Sequence, residues 1–469
     1  MKIYDSMQRS VRDLQTIVPN TVSIYSCGPT VYDYLHVGNW SGYIYWDTLV
    51  RTLKQDDYHV NWYMNITDVG HLVSDDDDGE DKLEKGAKRE GKTAWDIAKF
   101  YSKDFIESLD KLNITIPKDH LTPATENIDE QIVLIKILEE KGFTYKISDG
   151  IYFDSTKLKD YGKLARLDIE GLQAGARVSI KEKKSPTDFA LWKFSPTDSK
   201  RDMEWESPWG TGFPGWHIEC SAMSMKYLGE TIDIHTGGID HIPIHHTNEI
   251  AQSEIATGKT FVNYWLHNNF MMVDATKISK SLNNGITLAD LEKKGFSIKA
   301  FRLMVLQSHY RTQSNFTFDI LESAQNRLIN WQAVADQRFQ TNSNNREVPD
   351  IEVSIETIKS EILDSLNNDL DTPKAIFTIE KGINLLSECD SLDINIFNDF
   401  LHFVDKTIGI NLLESSDVDQ EVKSLIEDRQ KARDNKNWDD ADAIRDKLNQ
   451  NGIEIKDLPN SQIWSRAKL

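Results

Sequence analysis

A histidine and a carboxylate four residues apart are the clearest chemical signal in the chain. His245 and Glu249 stand at positions i and i+4 of a segment predicted to be helical, so both side chains lie on one helix face. Imidazole and carboxylate groups both bind zinc, and a helix holds them rigidly. Two ligands do not complete a metal site, however, and an isolated pair with this spacing is more often a surface ion pair. The spacing alone therefore leaves both interpretations open.

The chain contains three cysteines, and two of them fall where they can add thiolate ligands. Cys27 follows a predicted strand at 21–25, and Cys220 lies in a segment that begins a helix. Both would lie at or beyond the carboxyl edge of a parallel sheet, where open α/β folds bind ligands. Cys389 lies in a helical region, far from the others in the predicted topology. Isolated cysteines are usually buried packing residues, so packing remains the alternative role.

Two further segments have the composition of nucleotide-binding loops. In CGPTVYDYLHVGN, His36 and Asn39 occupy a strand-to-helix turn, and Gly38 allows a ligand close to the backbone. The helix N-terminus at this turn favours phosphate and other anions. In KISKS, Lys277 and Lys280 lie in a Gly-flanked loop that can wrap a polyphosphate. KISKS is a short motif, so an ordinary solvated loop is the alternative for that segment.

Alternating strands and helices must position these groups. A strand at 21–25, a helix over 39–53 and a strand over 59–67 form a strand–helix–strand unit, which predicts a parallel sheet. The alternation resumes with a strand at 231–238, and the next helix begins near His245. The sheet therefore has the topology that gathers ligands at its carboxyl edge.

The remaining segments divide the chain further. Helices are predicted at about 93–112 and 126–141. The region 116–205 contains the strand-like pieces GIYFD and ARVSI between Gly- and Lys-rich loops, and we interpret it as an insertion within the first domain. After about residue 315 the chain is predicted to be almost wholly helical, with a polar linker at 341–350.

Composition excludes several classes of protein. The 469-residue chain is 39% hydrophobic and has no apolar run near the ~20 residues that a membrane-spanning helix needs. MKIYDSMQRS, at the start, lacks the apolar core of a secretion signal, and three cysteines cannot form a disulfide framework, so we expect a cytoplasmic protein. A net charge of −21 excludes bulk electrostatic binding of nucleic acid, so an RNA partner must be argued from motifs.

Several motifs together resemble one enzyme family. HVGN resembles the HIGH signature, and KISKS the KMSKS signature, of class I aminoacyl-tRNA synthetases. The segments that resemble the cysteinyl-tRNA synthetase family are CGPTVYD, NITD (65–68), GWHIECSAM (215–223), HHTNEIAQSE (245–254), VNYWLH (262–267) and the tail ARDNKNWDDADAIRDKLNQNGIEIKD (432–457). These motifs occur in order from near Met1 to the last residues, which makes the resemblance specific.

The resemblance implies a set of site residues. Its zinc ligands, for one ion per chain, would be Cys27, Cys220, His245 and Glu249. The residues around bound cysteine would be Gly28, Thr67, Trp216, His235 and Asp240. The residues at ATP and the adenylate would be His36, Gly38 and Asn39, with Lys277 and Lys280 at the phosphates and Mg²⁺ bound with ATP.

The resemblance also implies an activity. ATP would activate L-cysteine as an adenylate, and the cysteinyl group would then pass to the terminal ribose of tRNA(Cys). A bond between zinc and the substrate thiolate would select cysteine over serine, so we expect no editing by the insertion. Trp438 and Trp464 are candidates for stacking on RNA bases, and Arg429, Lys431 and Arg433 for backbone contacts. We expect a monomer and no membrane partner.

The implied architecture is an α/β fold with a helical C-terminal region. Its expected parts are a Rossmann-type catalytic domain over 1–115 and 206–270, an inserted connective domain over 116–205, a stem-contact region with the KISKS loop over 271–318, a helical bundle over 319–412 and an anticodon-binding domain over 415–469.

The sequence departs from the family pattern at four places. Asn39 replaces the second histidine of HIGH, and an amide cannot carry charge. Ile278 replaces the methionine of KMSKS and leaves both lysines in place. His241 is an additional imidazole that can compete as a zinc ligand. The acidic segment 70–86 is either a cation site or a solvated loop.

Two other functions fit parts of the sequence. A ligase that transfers the same cysteinyl adenylate to an amino sugar, as in mycothiol synthesis, resembles the catalytic half; the tail beyond 415 argues against it. A catalytically silent RNA-binding paralogue is the second alternative. The presence of His36, both KISKS lysines and all four implied zinc ligands argues against that one. Assays of tRNA acceptance and of cysteine-dependent ATP–pyrophosphate exchange discriminate between the three.

Overall fold

The computed structural model describes most of the chain in two compact units. The described residues are 1–70, 82–166, 182–196, 201–279, 282, 284–340, 350–388, 394–458 and 461–468. Unit 1 comprises Met1–Met271, Lys277–Thr287 and Tyr310–Ser314, and unit 2 comprises Met272–Thr276, Leu288–His309 and Asn315–Leu469. Lys280, Cys389, the predicted strand ARVSI and most of the acidic segment 70–86 lie outside the described residues.

The strands, in chain order, are β1 (Lys2–Asp5), β2 (Ser10–Asp13), β3 (Thr21–Ser26), β4 (His59–Ile66), β5 (Leu121–Pro123), β6 (Thr144–Ile147), β7 (Gly150–Phe153), β8 (Phe189–Phe194), β9 (Gly212–Pro214), β10 (Ile232–Gly238), β11 (Val262–Asn268), β12 (Met271–Val273), β13 (Thr276–Lys277), β14 (Ser314–Phe316), β15 (Ile453–Asp457) and β16 (Gln462–Arg466). The α-helices are α1 (Val37–Gln55), α2 (Lys82–Glu90), α3 (Ala94–Lys111), α4 (Ile128–Glu140), α5 (Trp216–Leu228), α6 (His245–Thr257), α7 (Leu288–Lys293), α8 (Ile298–Leu306), α9 (Phe318–Ala335), α10 (Ile351–Leu366), α11 (Thr372–Glu388), α12 (Ile394–Ile408), α13 (Gln420–Asp434) and α14 (Trp438–Gln450). None of the described helices combines the length and apolar character that crossing a membrane requires.

A five-stranded parallel sheet forms the centre of unit 1, which confirms the predicted α/β class. Its strand order is β11-β10-β3-β4-β5, and each adjacent pair is parallel. The chain runs outward from β3 through β4 to β5, then returns to the other side of β3 with β10 and β11. The carboxyl ends of β3 and β10 therefore flank the point where strand order reverses, and such points form ligand-binding crevices in open α/β sheets.

Helix α1 follows β3 and is buried on nearly all sides. Its apolar residues Ile44, Leu49 and Leu53 are each fully buried. Its polar pair is also inside: Arg51 Nε lies 2.7 Å from Asp47 Oδ2. The backbone and hydroxyl of Thr115 each donate to Asp47 Oδ1 at 2.8 Å. Pairing and hydrogen bonding satisfy these charged groups, so the helix can bury its polar residues as well as its apolar ones.

The insertion is bounded differently from the sequence expectation of 116–205. β5 pairs with β4, so the parallel sheet continues into that range. Strands β6, β7, β8 and β9 form a separate antiparallel sheet, and its last strand, β9, lies beyond residue 205. Sequence patterning could not show this, because three-residue strands such as β5 and β9 carry almost no periodic signal.

Unit 2 is mainly helical, as predicted, but it ends in a hairpin that the sequence analysis missed. Strands β15 and β16 pair antiparallel, with Ile455 opposite Trp464. Ile453, Leu448, Val422 and Trp464 belong to one buried cluster beneath helices α13 and α14. The prediction of an almost wholly helical chain after residue 315 was therefore wrong here. The alternation of apolar and polar residues over 453–457 is the overlooked period-two signal.

Candidate metal and substrate site

The four implied zinc ligands lie together at the carboxyl edge of the parallel sheet. Cys27 follows β3, Cys220 lies in the second turn of α5, and His245 and Glu249 share one face of α6. One ligand atom from each of the four lies within 4.8 Å of the others, and all four residues are buried. His245 Nε2 is 3.0 Å from Glu249 Oε1. Two sulfurs, one imidazole nitrogen and one carboxylate oxygen are a donor set that fits tetrahedral zinc.

A second group of potential ligands overlaps the first. Cys27, His235, His246 and Glu249 also offer ligand atoms within 4.8 Å of one another. His246 Nε2 is 3.3 Å from Cys27 Sγ, and His235 Nε2 is 2.8 Å from Glu249 Oε2. The first group has two sulfurs where the second has one, and zinc prefers thiolate donors in closed sites. The donor set therefore favours the first group.

His241, the imidazole expected to compete for the metal, belongs to neither group within the described residues. It ends a short 3-10 turn, Ile239–His241, and its ring centre is 5.0 Å from that of His245. Its ring packs beside the backbone at Gly237, where an added Cβ would lie 2.7 Å from its Nδ1. The competing imidazoles are instead those of His235 and His246.

The rings of His245 and His246 are oriented by contacts of the ring nitrogens that face away from the ligand group. His245 Nδ1 lies 3.0 Å from His217 Nδ1, which leaves Nε2 of His245 directed to the ligand group. His246 Nδ1 lies 2.8 Å from His267 Nε2, and the other nitrogen of His267 lies 2.8 Å from Ser6 Oγ. Metal-binding histidines are commonly fixed in this way through the ring nitrogen that does not face the metal.

Within the site, neighbouring groups of opposite charge outweigh the effect of burial on the pKa values of Glu249 and His245. Burial acts to raise the pKa of Glu249, but His235 and His245 outweigh it and lower that pKa well below its usual range. Burial acts to lower the pKa of His245, but Glu249 and Cys220 raise it to about 10. Burial raises the pKa of the Cys27 thiol. A metal cation that binds here must therefore displace protons from thiol and imidazole, as zinc sites do.

A chain of hydrogen bonds holds the residues expected around cysteine. The amide of Gly28 donates to Asn65 Oδ1 at 2.7 Å, and Asn65 Nδ2 donates to Thr67 Oγ1 at 3.0 Å. Thr67 Oγ1 donates in turn to Glu219 Oε2 at 3.0 Å. A side chain at residue 28 would place its Cβ 1.7 Å from the Asn65 carbonyl oxygen, so only glycine fits. Thus Gly28 and Thr67 are fixed in one network.

The other expected cysteine-binding residues surround the same ligand group. His235 is fully buried, with its ring centre 4.6 Å from that of His246. The Trp216 ring centre is 4.4 Å from that of His245, and Trp216 is only partly buried. Asp240 is exposed in the 3-10 turn that follows β10. Buried polar groups such as His235 thus form the base of the site, the Trp216 ring forms one wall, and the exposed Asp240 carboxylate lies at its entrance.

The strand-to-helix turn forms a complete N-terminal cap. The amide of Asn39 donates to His36 Nδ1 at 3.3 Å, and the His36 amide donates to Asn39 Oδ1 at 3.1 Å. Because Nδ1 accepts, the neutral His36 ring carries its hydrogen on Nε2. A Cβ at Gly38 would lie 2.9 Å from Ile278 Cδ1, so the KISKS segment approaches this turn within unit 1. Lys277 is exposed, with Nζ 4.8 Å from the centre of the Phe270 ring.

Two family models and many relatives match this chain. The family described as "tRNA synthetases class I (C) catalytic domain" matches residues 13–326, and the family "Cysteinyl-tRNA ligase anticodon binding domain" matches residues 415–464. A cysteine–tRNA ligase of Burkholderia lata is 42% identical over 98% of this chain and 96% of the relative. One of Treponema denticola is 41% identical over 99% of each chain. The chain belongs to the cysteine–tRNA ligase family. It is accordingly a class I aminoacyl-tRNA synthetase that ligates cysteine to tRNA.

Solved structures share the fold of this cysteine–tRNA ligase at low identity. A LeuRS of Agrobacterium radiobacter K84, solved with tRNA and LeuAMS, aligns with a TM-score of 0.61 at 11% identity and covers 85% of both chains. A methionyl-tRNA synthetase of Mycobacterium tuberculosis, bound by methionyl-adenylate, aligns with a TM-score of 0.54 at 12% identity over 84% of this chain and 88% of that chain. These likenesses show the fold alone.

Sequence reasoning missed several groups that support the ligase site. Asn65 lies in the quoted NITD motif, and Glu219 and His217 lie in the quoted GWHIECSAM, but no spacing rule marks their contacts. His246 is adjacent to His245, so the doubled histidine was a usable signal. His267 is distant in sequence and reaches the site only because β11 pairs with β10.

Three of the residues expected to contact RNA turn inward instead. Trp464 is only 5% exposed and belongs to the core beneath α13 and α14. Arg429 is 1% exposed, and its Nη1 lies 2.7 Å from Asp457 Oδ1. Arg433 also turns inward and donates to the carbonyl of Ser461 at 2.9 Å. Trp438, by contrast, is 59% exposed at the start of α14, so it keeps a free aromatic surface.

Proposed function

We propose that this ligase forms cysteinyl adenylate from L-cysteine and ATP and then transfers the cysteinyl group to the terminal ribose of tRNA(Cys). We propose further that one zinc ion per chain, held by Cys27, Cys220, His245 and Glu249, selects the amino acid. The supporting observation is the buried convergence of these ligand atoms within 4.8 Å at the switch point of the parallel sheet.

Zinc would supply a bond to the thiolate of the substrate, which the hydroxyl of serine forms far less well. The chain's own residues bind and orient the rest of the amino acid. Thr67 and Gly28 are fixed by the Asn65 network, Trp216 and His235 flank the ligand group, and Asp240 can pair with the substrate ammonium. Burial of the floor excludes water and strengthens these polar contacts.

Adenylate formation needs no protein nucleophile. The cysteine carboxylate attacks the α-phosphorus of Mg²⁺-bound ATP and pyrophosphate leaves, so positioning and positive charge supply the catalysis. His36 can donate through Nε2, and the N-terminus of α1 adds its dipole beside the phosphates. In this proposal, Lys277 and Lys280 of the KISKS loop neutralise the negative charge of the phosphates.

Asn39 offers a test of the nucleotide side of this proposal. Asn39→Asp keeps the oxygen that accepts from the His36 amide, so the cap is expected to persist. The added negative charge beside the phosphates is expected to lower kcat/KM for ATP about 10-fold or more. Asn39→Ala is the matched variant: it should lose about 1 kcal/mol of unfolding free energy through the cap. Pyrophosphate exchange and urea unfolding measure the two effects; an unchanged ATP dependence in Asn39→Asp would place the phosphates elsewhere.

For the remainder of the chain, we propose the roles expected from the sequence. The region after α4 that forms the β6–β9 sheet would hold the acceptor end of tRNA and perform no editing. Residues 271–318 would contact the stem, 319–412 would form the connecting bundle, and 415–469 would read the anticodon. We also propose that the protein is a monomer and acts in the cytoplasm.

Trp438 is expected to stack on an unpaired base of the tRNA. Trp438→Ala should lower kcat/KM for tRNA about 5- to 150-fold, because stacking on one base contributes about 1–3 kcal/mol. Cysteine-dependent pyrophosphate exchange should remain unchanged, since it needs no tRNA. Phe377→Ala is the matched control, because Phe377 is 63% exposed on α11, outside the proposed anticodon domain. Equal aminoacylation by wild type and Trp438→Ala would exclude the stacking role.

Aminoacylation of tRNA(Cys) with cysteine, followed beside pyrophosphate exchange, tests the proposed two-step reaction. Exchange should require cysteine and ATP but not tRNA, and the charged product should require all three. Cysteine-dependent exchange without tRNA charging, together with transfer to an amino sugar, would support the alternative ligase instead.

A further inference from the structure

Asp336 is a fully buried carboxylate that the proposed reaction does not use. It begins a short 3-10 turn, Asp336–Phe339, that directly continues helix α9. Burying a carboxylate is costly unless it is paired or hydrogen-bonded, so its partners show what the charge holds in place. These partners come from α9, from strand β16 and from the linker, residues 412–416, between the helical bundle and the proposed anticodon domain, all within unit 2.

One oxygen of the Asp336 carboxylate binds the linker. Oδ1 accepts from Ser415 Oγ at 2.6 Å and from Gln332 Nε2 at 2.8 Å. The Gln332 amide also donates to Ser415 Oγ at 2.8 Å, and Arg338 Nη2 donates to the Ser415 carbonyl at 2.7 Å. Side chains from α9 and from the turn that follows it therefore hold the linker in place.

The other oxygen of Asp336 binds the β15–β16 hairpin. Oδ2 accepts from Arg466 Nε on β16 at 2.8 Å, and Arg466 Nη2 donates to the carbonyl of Ser416 in the linker. A second attachment lies four residues along: Gln340 Nε2 donates to the Trp464 carbonyl at 3.0 Å, and Gln340 Oε1 accepts from the Trp464 amide at 2.9 Å. The hairpin and the linker are thus bonded to the same end of α9.

We infer that Asp336 is a positioning residue, which fixes the proposed anticodon domain on the helical bundle in the arrangement that engages the tRNA anticodon. The inference rests on the proposed reading of the anticodon by residues 415–469. One carboxylate accepts from the linker and from β16 at once, so it ties both to a single point on α9. Position matters for rate, because a displacement of about 1 Å far from the chemistry can slow a reaction about 100-fold.

Asp336→Asn tests the inference, since it keeps the size of the side chain and removes its charge. An amide has one acceptor oxygen in place of two, so either the linker contact or the Arg466 contact is lost. We expect kcat/KM for aminoacylation of tRNA(Cys) to fall about 10- to 100-fold. Cysteine-dependent pyrophosphate exchange should stay at the wild-type rate, because it needs no tRNA.

A tRNA(Cys) with a substituted anticodon provides the readout that a general loss of stability would not move. The wild type should charge this tRNA less efficiently than tRNA(Cys), since the anticodon contacts are missing. Asp336→Asn should lower kcat/KM for tRNA(Cys) and leave that for the substituted tRNA nearly unchanged. The ratio of the two values should therefore fall toward one in the variant.

Two further variants and a control accompany Asp336→Asn. The Arg466 side chain is 27% exposed, so Arg466→Gln breaks the same contact from the less buried side, and it should lower the ratio too. Arg466→Lys keeps the positive charge and should restore most of the ratio. Asp369→Asn is the matched control: Asp369 is 4% exposed on the loop between α10 and α11, with its carboxylate 3.8 Å from His309 Nε2. The control should keep the wild-type ratio.

The outcomes separate the inference from the proposal on which it rests. A wild type that charges both tRNAs equally would refute anticodon reading by residues 415–469. With discrimination present in the wild type, an unchanged ratio in Asp336→Asn would overturn the role of Asp336. Equal losses with both tRNAs, or a parallel loss of pyrophosphate exchange, would indicate a general effect on folding and would overturn it as well. If Asp336→Asn yields no folded protein, Arg466→Gln decides by the same criteria.

Discussion

Serine is expected to support ATP–pyrophosphate exchange with a kcat/KM about 10⁴- to 10⁵-fold below that of cysteine. Cysteine and serine differ by one atom, and a pocket that discriminates by shape gains only about 1–3 kcal/mol from so small a difference. A site built around a bond to sulfur rejects the analogue that cannot form it. The ligand group of Cys27, Cys220, His245 and Glu249 provides such a site.

Alanine is the control substrate for this comparison, because it lacks both sulfur and hydroxyl. It should be activated no better than serine if the sulfur bond dominates selection. A serine rate only about 10- to 200-fold below that of cysteine would match discrimination by shape alone and would remove the metal from the selection step.

Glu249→Gln is expected to lower zinc content from one ion per chain to a small fraction of that value. Structural zinc binding contributes about 10–16 kcal/mol, so losing one of four ligands should weaken affinity by a factor of about 10² or more. The loss also leaves His235 and His245 without the carboxylate that lies 2.8 and 3.0 Å from them. Cysteine-dependent exchange should fall in parallel with zinc content.

Glu254→Gln is the matched control for this substitution. Glu254 lies on the same helix, α6, and its carboxylate pairs with Lys163 away from the ligand group. It should keep zinc and exchange activity at wild-type values. Metal content and exchange are measured on the same preparations of both variants; full zinc content in Glu249→Gln would exclude Glu249 as a ligand.

Part of this site could be predicted from residue spacing. His245 and Glu249 are one helical turn apart, so a local rule places them on one face, and the structure agrees. Cys27 and Cys220 are far from each other in sequence, and neither lies on the helix of His245 and Glu249. They reach the same carboxyl edge of the sheet only because the chain returns across β3. The family resemblance named them before any geometry was known.

The missed contacts have a common physical reason. His267 reaches His246 because β11 pairs with β10, and Glu219 reaches Thr67 because α5 packs against the end of β4. Such contacts depend on tertiary packing, which local periodicity does not encode. The short strands β5 and β9 were missed for a related reason, because each depends on a partner strand more than on its own pattern. The β15–β16 hairpin differs, because its alternation over 453–457 was present in the sequence.

Visible absorption of the cobalt-loaded protein during a titration with cysteine tests metal-based selection most directly. Cysteine should strengthen the sulfur-to-cobalt band until about one equivalent per chain is bound, because a further thiolate joins the site. Serine, added to the same concentration, should leave the band unchanged. Cysteine binding that saturates without any change in the band would contradict selection through a metal–sulfur bond.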